Sequence, residues 1–313
     1  MAETGKYSIG VDLGGTNLRA AAIDSSGKLL GKSSGGTDLK DGRDAVIDDI
    51  VTAIRALRDK FGQAGLSGVG VAVPGFIDIE KGFIVGSNNL PQFDQFPVRD
   101  VISQHLGTPV ILENDANAAA MGEKWLGAGR DVNDLVLLTL GTGIGGGIIV
   151  NGRILHGFVG MAGEIGHMTV IPNGNPCGCG SQGCLEKHAS ATAIVAMARM
   201  LQLGEGLSSK DVYELALGQG DTAHKARQIF DAMGTALGLA IANLVNVFNA
   251  PLYLLSGGPL PAWDFFAPSM FRAVEKRSFT YRNTKTRIEK ATLGNEAGLY
   301  GAAHLPFLEA AKL

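Results

Sequence analysis

The chain has three cysteines, Cys177, Cys179 and Cys184, and all fall in one glycine-rich run, Cys177-Gly-Cys-Gly-Ser-Gln-Gly-Cys184. An odd count in one short cluster is a poor disulfide framework, and a Cys177–Cys179 bridge spanning one residue would be badly strained. Thiolates at this spacing suit a soft cation. A fourth ligand must come from elsewhere, and His167 stands upstream in Gly163-Glu164-Ile165-Gly166-His167. A Cys3His tetrahedron closes every position of a structural zinc and leaves none for a reactive water. The second imidazole nitrogen of His167 stays available for a neighbouring group or a substrate hydroxyl.

Two tight turns form a second constellation: Asp12-Leu13-Gly14-Gly15-Thr16 and Gly141-Thr142-Gly143. Each follows an apolar strand. Glycines let backbone approach a ligand closely, successive N–H groups make an anion-binding concavity, and threonine hydroxyls add donors. Asp12 beside a phosphate calls for a Mg²⁺ in between. Either turn alone reads as a plain hairpin; the repetition favours a phosphate site. Gly141-Thr142-Gly143-Ile144-Gly145-Gly146 also spells the dinucleotide fingerprint. That motif needs a helix after it, and here Ile148-Ile149-Val150 continues as a strand. Asp115 closes Glu113-Asn114-Asp115, between the apolar strand Thr108 to Leu112 and the helix Ala116 to Trp125. A helix N-terminus favours the carboxylate, so Asp115 is expected ionised and able to accept a proton. The same position equally suits an aspartate that caps the helix.

The elements that must position these groups read as α/β. Strand, turn and strand run from Tyr7 to Ile23, with a further strand from Lys28 to Ser33. Val46, Ile47, Ile50, Val51, Ile54 and Leu57 give helical spacing to Arg43–Phe61. Short strands follow at Val69 to Val73 and Thr108 to Leu112. Asp134 to Leu140 opens a second strand–turn–strand unit, with a hairpin turn at Asn151-Gly152, which suggests internal duplication. A helix is expected from Lys187 to Leu203 and another from Lys225 to Phe248, then a strand at Leu252 to Leu255. The uncharged stretch Ala232 to Trp263 holds Asn243, Asn246, Asn249, Pro251 and Pro259. It reads as a buried helix followed by a strand rather than a membrane span.

Of 313 residues, 45 are glycine, 45% are hydrophobic and 18% charged. The glycines show no three-residue period, which excludes collagen, and the hydrophobicity excludes general disorder. A net charge of -3 and a pI of about 6.1 offer no broadly basic nucleic-acid surface. The N-terminal residues contain no apolar export core. A cytoplasmic protein is expected, with neither nucleic acid nor membrane as partner.

Taken together the motifs resemble the ROK family of sugar kinases and repressors. Asp12-Leu13-Gly14-Gly15-Thr16 and Gly141-Thr142-Gly143-Ile144-Gly145 resemble its two phosphate motifs. Glu113-Asn114-Asp115-Ala116-Asn117-Ala118 resembles its catalytic motif, and Ser256-Gly257-Gly258 its adenosine motif. The Glu164–His167 segment and Cys177 to Glu186 resemble its signature. The resemblance implies the actin-like ATPase (hexokinase/ribonuclease H-like) fold, with two α/β lobes and a cleft between them. The smaller lobe is expected at 1–115 with the C-terminal helix 300–313 packed back on it, and the larger, zinc-bearing lobe at 116–299.

By the same resemblance the γ-phosphate of ATP passes to the 6-hydroxyl of a hexose, glucose first among candidates, with Asp115 as base. The sugar would be held by Gly75, Asn89, Asn114, Asp115, Glu164, His167 and Glu186. The nucleotide would be held by Asp12, Gly14, Gly15, Thr16, Thr142, Gly143, Gly257 and Gly258. ATP, Mg²⁺ and a structural Zn²⁺ on His167, Cys177, Cys179 and Cys184 are the implied cofactors, and a homodimer or homotetramer the implied assembly. Carboxylates and amides suit such a site, since they pair with several hydroxyls at once. His156 and His188 lie in no motif and are expected to be structural. The family's regulators carry a DNA-binding extension before the first motif, for which the position of Asp12 leaves little room.

Overall fold

The computed structural model describes residues 6–14, 17–36, 42–87 and 90–311, so Gly15, Thr16 and Asn89 lie outside the described residues. The chain opens with β1 (Tyr7–Leu13), β2 (Asn17–Asp24), β3 (Leu29–Gly36) and α1 (Arg43–Phe61). There follow β4 (Leu66–Val73), the hairpin β5 (Phe76–Asp78) and β6 (Phe83–Gly86), α2 (Val98–Leu106), β7 (Val110–Asn114) and α3 (Asp115–Trp125). The middle of the chain holds β8 (Leu135–Leu140), β9 (Ile144–Val150), β10 (Arg153–Ile154), α4 (Glu186–Ala189), α5 (Ala191–Met200), α6 (Ser209–Leu217) and α7 (Gly220–Phe248). It ends with β11 (Leu252–Gly257), α8 (Trp263–Arg277), β12 (Arg287–Lys290) and α9 (Ala297–Ala310).

The chain divides into two compact units. The first comprises Met1–Asn133, Gly147–Gly163 and Thr292–Leu313; the second comprises Asp134–Gly146 and Glu164–Ala291. The first unit is built on a sheet of order β3-β2-β1-β4-β7. β2 returns antiparallel to β1, while β4 lies parallel to β1 and β7 parallel to β4. The apolar stripe of α1 is buried as its spacing predicts, in one core with Val11, Val71 and Leu112. The other face meets α9 at very close range. A β-carbon on Gly70 of β4 would overlap the Ala302 carbonyl, and one on Gly301 would overlap the Ala118 carbonyl of α3. Ala72, Ala118 and Ala302 complete this small-residue seam. The division expected at Asp115 therefore falls inside the first unit. α3 starts at that residue, and its small-residue face is packed against the terminal helix.

The second unit has neighbouring strands β9, β8, β11 and β12, with β8 and β12 both parallel to β11. The order repeats that of the first sheet: hairpin partner, central strand, then two strands reached by crossovers. β9 leaves this unit after Gly146, and β10 pairs with its far end through Ile154↔Ile149. α7 is the expected buried helix. Its most apolar stretch is 67% buried inside the protein, and Gly234 and Gly238 let α8 approach to its backbone. The single helix expected from Lys187 to Leu203 is instead two. Ser190 leaves the helical region (φ -78°, ψ 166°), and its hydroxyl accepts the Ala193 N–H to cap α5.

Candidate active site and metal centre

The corner from β7 into α3 carries the expected base. Asn114, not Asp115, caps α3. Its Oδ1 accepts the N–H of Ala116 at 2.9 Å and of Asn117 at 3.1 Å, and its Nδ2 donates to the Gly75 carbonyl at 3.1 Å. Both lone pairs of that oxygen are thus engaged, and the amide also hydrogen bonds to the Asp115 carboxyl. Capping is therefore met by the neighbour, and the Asp115 carboxyl is free for other work. Although the residue keeps some exposure, its carboxyl accepts the Ala116 N–H at 2.8 Å and hydrogen bonds with its own backbone N–H and the Asn114 side chain. The surrounding protein mass and the charge of Asp12 push its pKa from 3.8 up to about 6, against the N–H groups that draw it down. Desolvation thus outweighs the helix-terminus effect expected to dominate, although the group is still ionised at neutral pH.

Glu113, just before this pair, is 2% exposed. Its Oε1 accepts the Asn114 N–H at 2.9 Å and the Asn117 Nδ2 at 3.0 Å, while Oε2 lies 2.7 Å from His156 Nε2. His156, expected to be structural, therefore contacts the segment that carries the expected base.

The first glycine turn closes with the Gly14 N–H on the Asn17 carbonyl at 2.8 Å. Asp12 is paired with Arg19, its cross-strand partner in the β1–β2 register. Arg19 also lies 3.8 Å from Glu296, which in turn pairs with Lys32. Burial raises the Asp12 carboxyl above its ordinary range despite Arg19. A cavity of about 350 Å³ opens here, lined by Gly14, Asn17, Arg19, Ser34 and Asn295 among others. Arg19 was legible in principle: counting back across the turn from Asp12 places it directly opposite.

In the second unit the other glycine turn is stitched to the chain that follows the cysteine run. The Ile144 N–H donates to Glu186 Oε2 at 3.1 Å, the Ala191 N–H to the Gly141 carbonyl at 2.8 Å, and the Thr192 hydroxyl to the Thr142 carbonyl at 2.7 Å. A β-carbon at Gly143 would strike the Glu186 carboxylate. Gly257, at φ 110°, sits so close to the end of β8 that a side chain would overlap the Leu140 carbonyl, and the Gly258 N–H bonds that carbonyl at 3.0 Å.

His167, Cys177, Cys179 and Cys184 place their ligand atoms within 4.8 Å of one another. Cys177 Sγ lies 3.7 Å from His167 Nδ1, and Cys179 Sγ 3.7 Å from Cys184 Sγ. Zn–S bonds of about 2.3 Å give tetrahedral edges of about 3.8 Å, so the donors fit that ion. Burial pushes the Cys184 thiol up to about 12, so a cation is what would hold it as thiolate. With Nδ1 turned to the cysteines, His167 presents Nε2 on the other side, 3.9 Å from Glu164 Oε2. Burial raises Glu164, His167 opposes this, and the nearby charge of Glu186 adds to it. Glu164, His167 and Glu186 are therefore one cluster, as Asp12, Asn114, Asp115 and Gly75 are in the first unit.

Residues 8–307 match the ROK family. A glucokinase from Halalkalibacterium halodurans is 38% identical over 96% of this chain and 94% of its own length. A ROK hexokinase structure from Thermus thermophilus superposes with a TM-score of 0.86 at 32% identity, covering 98% of this chain and 100% of that one. A Streptomyces griseus ROK glucokinase solved with glucose and AMPPNP gives 0.78 at 32% identity, covering 96% and 98%. The chain shares the actin-like ATPase fold of these kinases.

Proposed function

This chain belongs to the ROK family, and on that premise we propose that it transfers the γ-phosphate of ATP to the 6-hydroxyl of glucose. The observation that carries the reading is the likeness, across nearly its whole length, to a glucokinase solved with glucose and an ATP analogue. The local chemistry agrees. Phosphoryl transfer asks the protein for positioning, charge neutralisation and a group to take the acceptor's proton. In this reading Gly14, Gly15, Thr16, Thr142 and Gly143 are assigned to the phosphates and Gly257 and Gly258 to the adenosine. Mg²⁺ held through Asp12 would offset the charge of the transferring phosphoryl group.

Asp115 receives the 6-hydroxyl hydrogen bond and takes the proton as the new O–P bond forms and ADP departs. A carboxyl titrating near 6 is poised for this at neutral pH. Asn89, Asn114, Glu164, His167 and Glu186 are assigned to the other hydroxyls, together with the Gly75 backbone. Zn²⁺ on His167, Cys177, Cys179 and Cys184 would lock the segment ending in Glu186 and fix the tautomer of His167. ADP release is to be measured with ATP against glucose, fructose, mannose, allose, N-acetylglucosamine and N-acetylmannosamine. Glucose should give the highest kcat/KM; no sugar-dependent release would defeat the reading.

A further inference from the structure

Glu113 is a carboxylate almost wholly removed from water, one residue before the Asn114-Asp115 pair. Such a group is tolerated only where hydrogen bonds or a cation replace water. Three contacts meet that need: the Asn114 N–H, the Asn117 amide and the His156 ring. The first two grip the backbone immediately before Asp115 and the side chain of the residue two beyond it. The Asn114 side chain then ties the same corner to Gly75 and to the first turn of α3. His156 comes from a different part of the first unit, just after β10, where the Ala162 N–H returns to its carbonyl at 3.0 Å. It is the ring that holds the outer oxygen of Glu113.

We infer that His156 is a positioning residue for the catalytic carboxyl: by anchoring Glu113 it sets the backbone from which Asp115 reaches the acceptor hydroxyl. Without the imidazole, the outer oxygen of Glu113 loses its partner and the carboxylate turns toward water. Turning releases the Asn114 N–H and the Asn117 amide together, and Asp115 moves with them. A displacement of about 1 Å is enough to cost roughly 100-fold in rate while leaving substrate binding largely intact.

The inference rests on the kinase reading, so wild-type enzyme is assayed first with glucose and ATP. An inactive wild type would defeat that reading; an active one makes the variants informative. His156→Ala should lower kcat by about 10- to 100-fold with KM for glucose and ATP changed by less than about threefold. His156→Gln puts an amide N–H where Nε2 stood and should recover most of the loss. Glu113→Gln should resemble His156→Ala, and the double variant should be little worse than either single one. Thermal unfolding separates a general loss of fold, which would lower Tm without lowering kcat per folded molecule. The inference is overturned by His156→Ala at wild-type kcat, by no recovery in His156→Gln, or by single effects that multiply in the double variant.

Discussion

The rate of the reaction at acid pH tests the proton-accepting role of Asp115 most directly. An ordinary aspartate at 3.8 would be about 94% ionised at pH 5 and would leave the rate nearly flat from there upward. Asp115 is raised to about 6 by its surroundings and by Asp12. At that value the ionised fraction is about 97% at pH 7.5 and about 9% at pH 5. Only the ionised form accepts a proton, so activity is lost as pH falls through the raised value, roughly tenfold across this interval. With glucose and ATP both well below KM, the profile reports the free enzyme. ADP is to be quantified by chromatography after quenching, which avoids a coupling enzyme with its own pH dependence. Saturating Mg²⁺ and ATP should move the limb acidward, since a cation at Asp12 relieves its repulsion on Asp115. A profile flat down to pH 5 at low substrate would refute the reasoning.

Asp115→Asn should keep glucose binding by calorimetry within a few-fold and lower kcat by about 10²- to 10⁴-fold; near-normal turnover would remove Asp115 from the base role. Elemental analysis should find one zinc per chain, and Cys179→Ser should lose it and melt at lower temperature; a full zinc complement in that variant would take Cys179 out of the site. Gly301→Ala should destabilise by about 1–3 kcal/mol in denaturant unfolding, because its β-carbon meets the Ala118 carbonyl of α3. An unchanged midpoint would mean that α9 does not need that close approach.

Much of this protein was legible without coordinates. The α1 stripe, the glycine turns and the Cys3His set are local patterns, and local sterics or spacing dictate them. The dinucleotide reading failed on local grounds too, since β9 follows the turn where a helix is required. Ser190 could also have been read locally, as a capping residue inside a stretch taken for one helix. The role of Asn114 was harder. Asparagine and aspartate are both good caps, and only the bond to Gly75, 39 residues away, shows which one is committed.

What the sequence offered by itself was candidate chemistry: glycine turns suited to phosphate and a Cys3His set suited to metal, with the hydroxyl-binding set implied only by the family resemblance. Those properties belong to residue types and short spacings. The tertiary structure decided how each group behaves. The pKa of Asp115 depends on the bulk around it and on Asp12, and α3 joins the first unit because Gly301 of α9 admits it. Glu113 finds one of its three partners in His156, 43 residues on. Electrostatics and close packing act through space, so groups far apart along the chain set them.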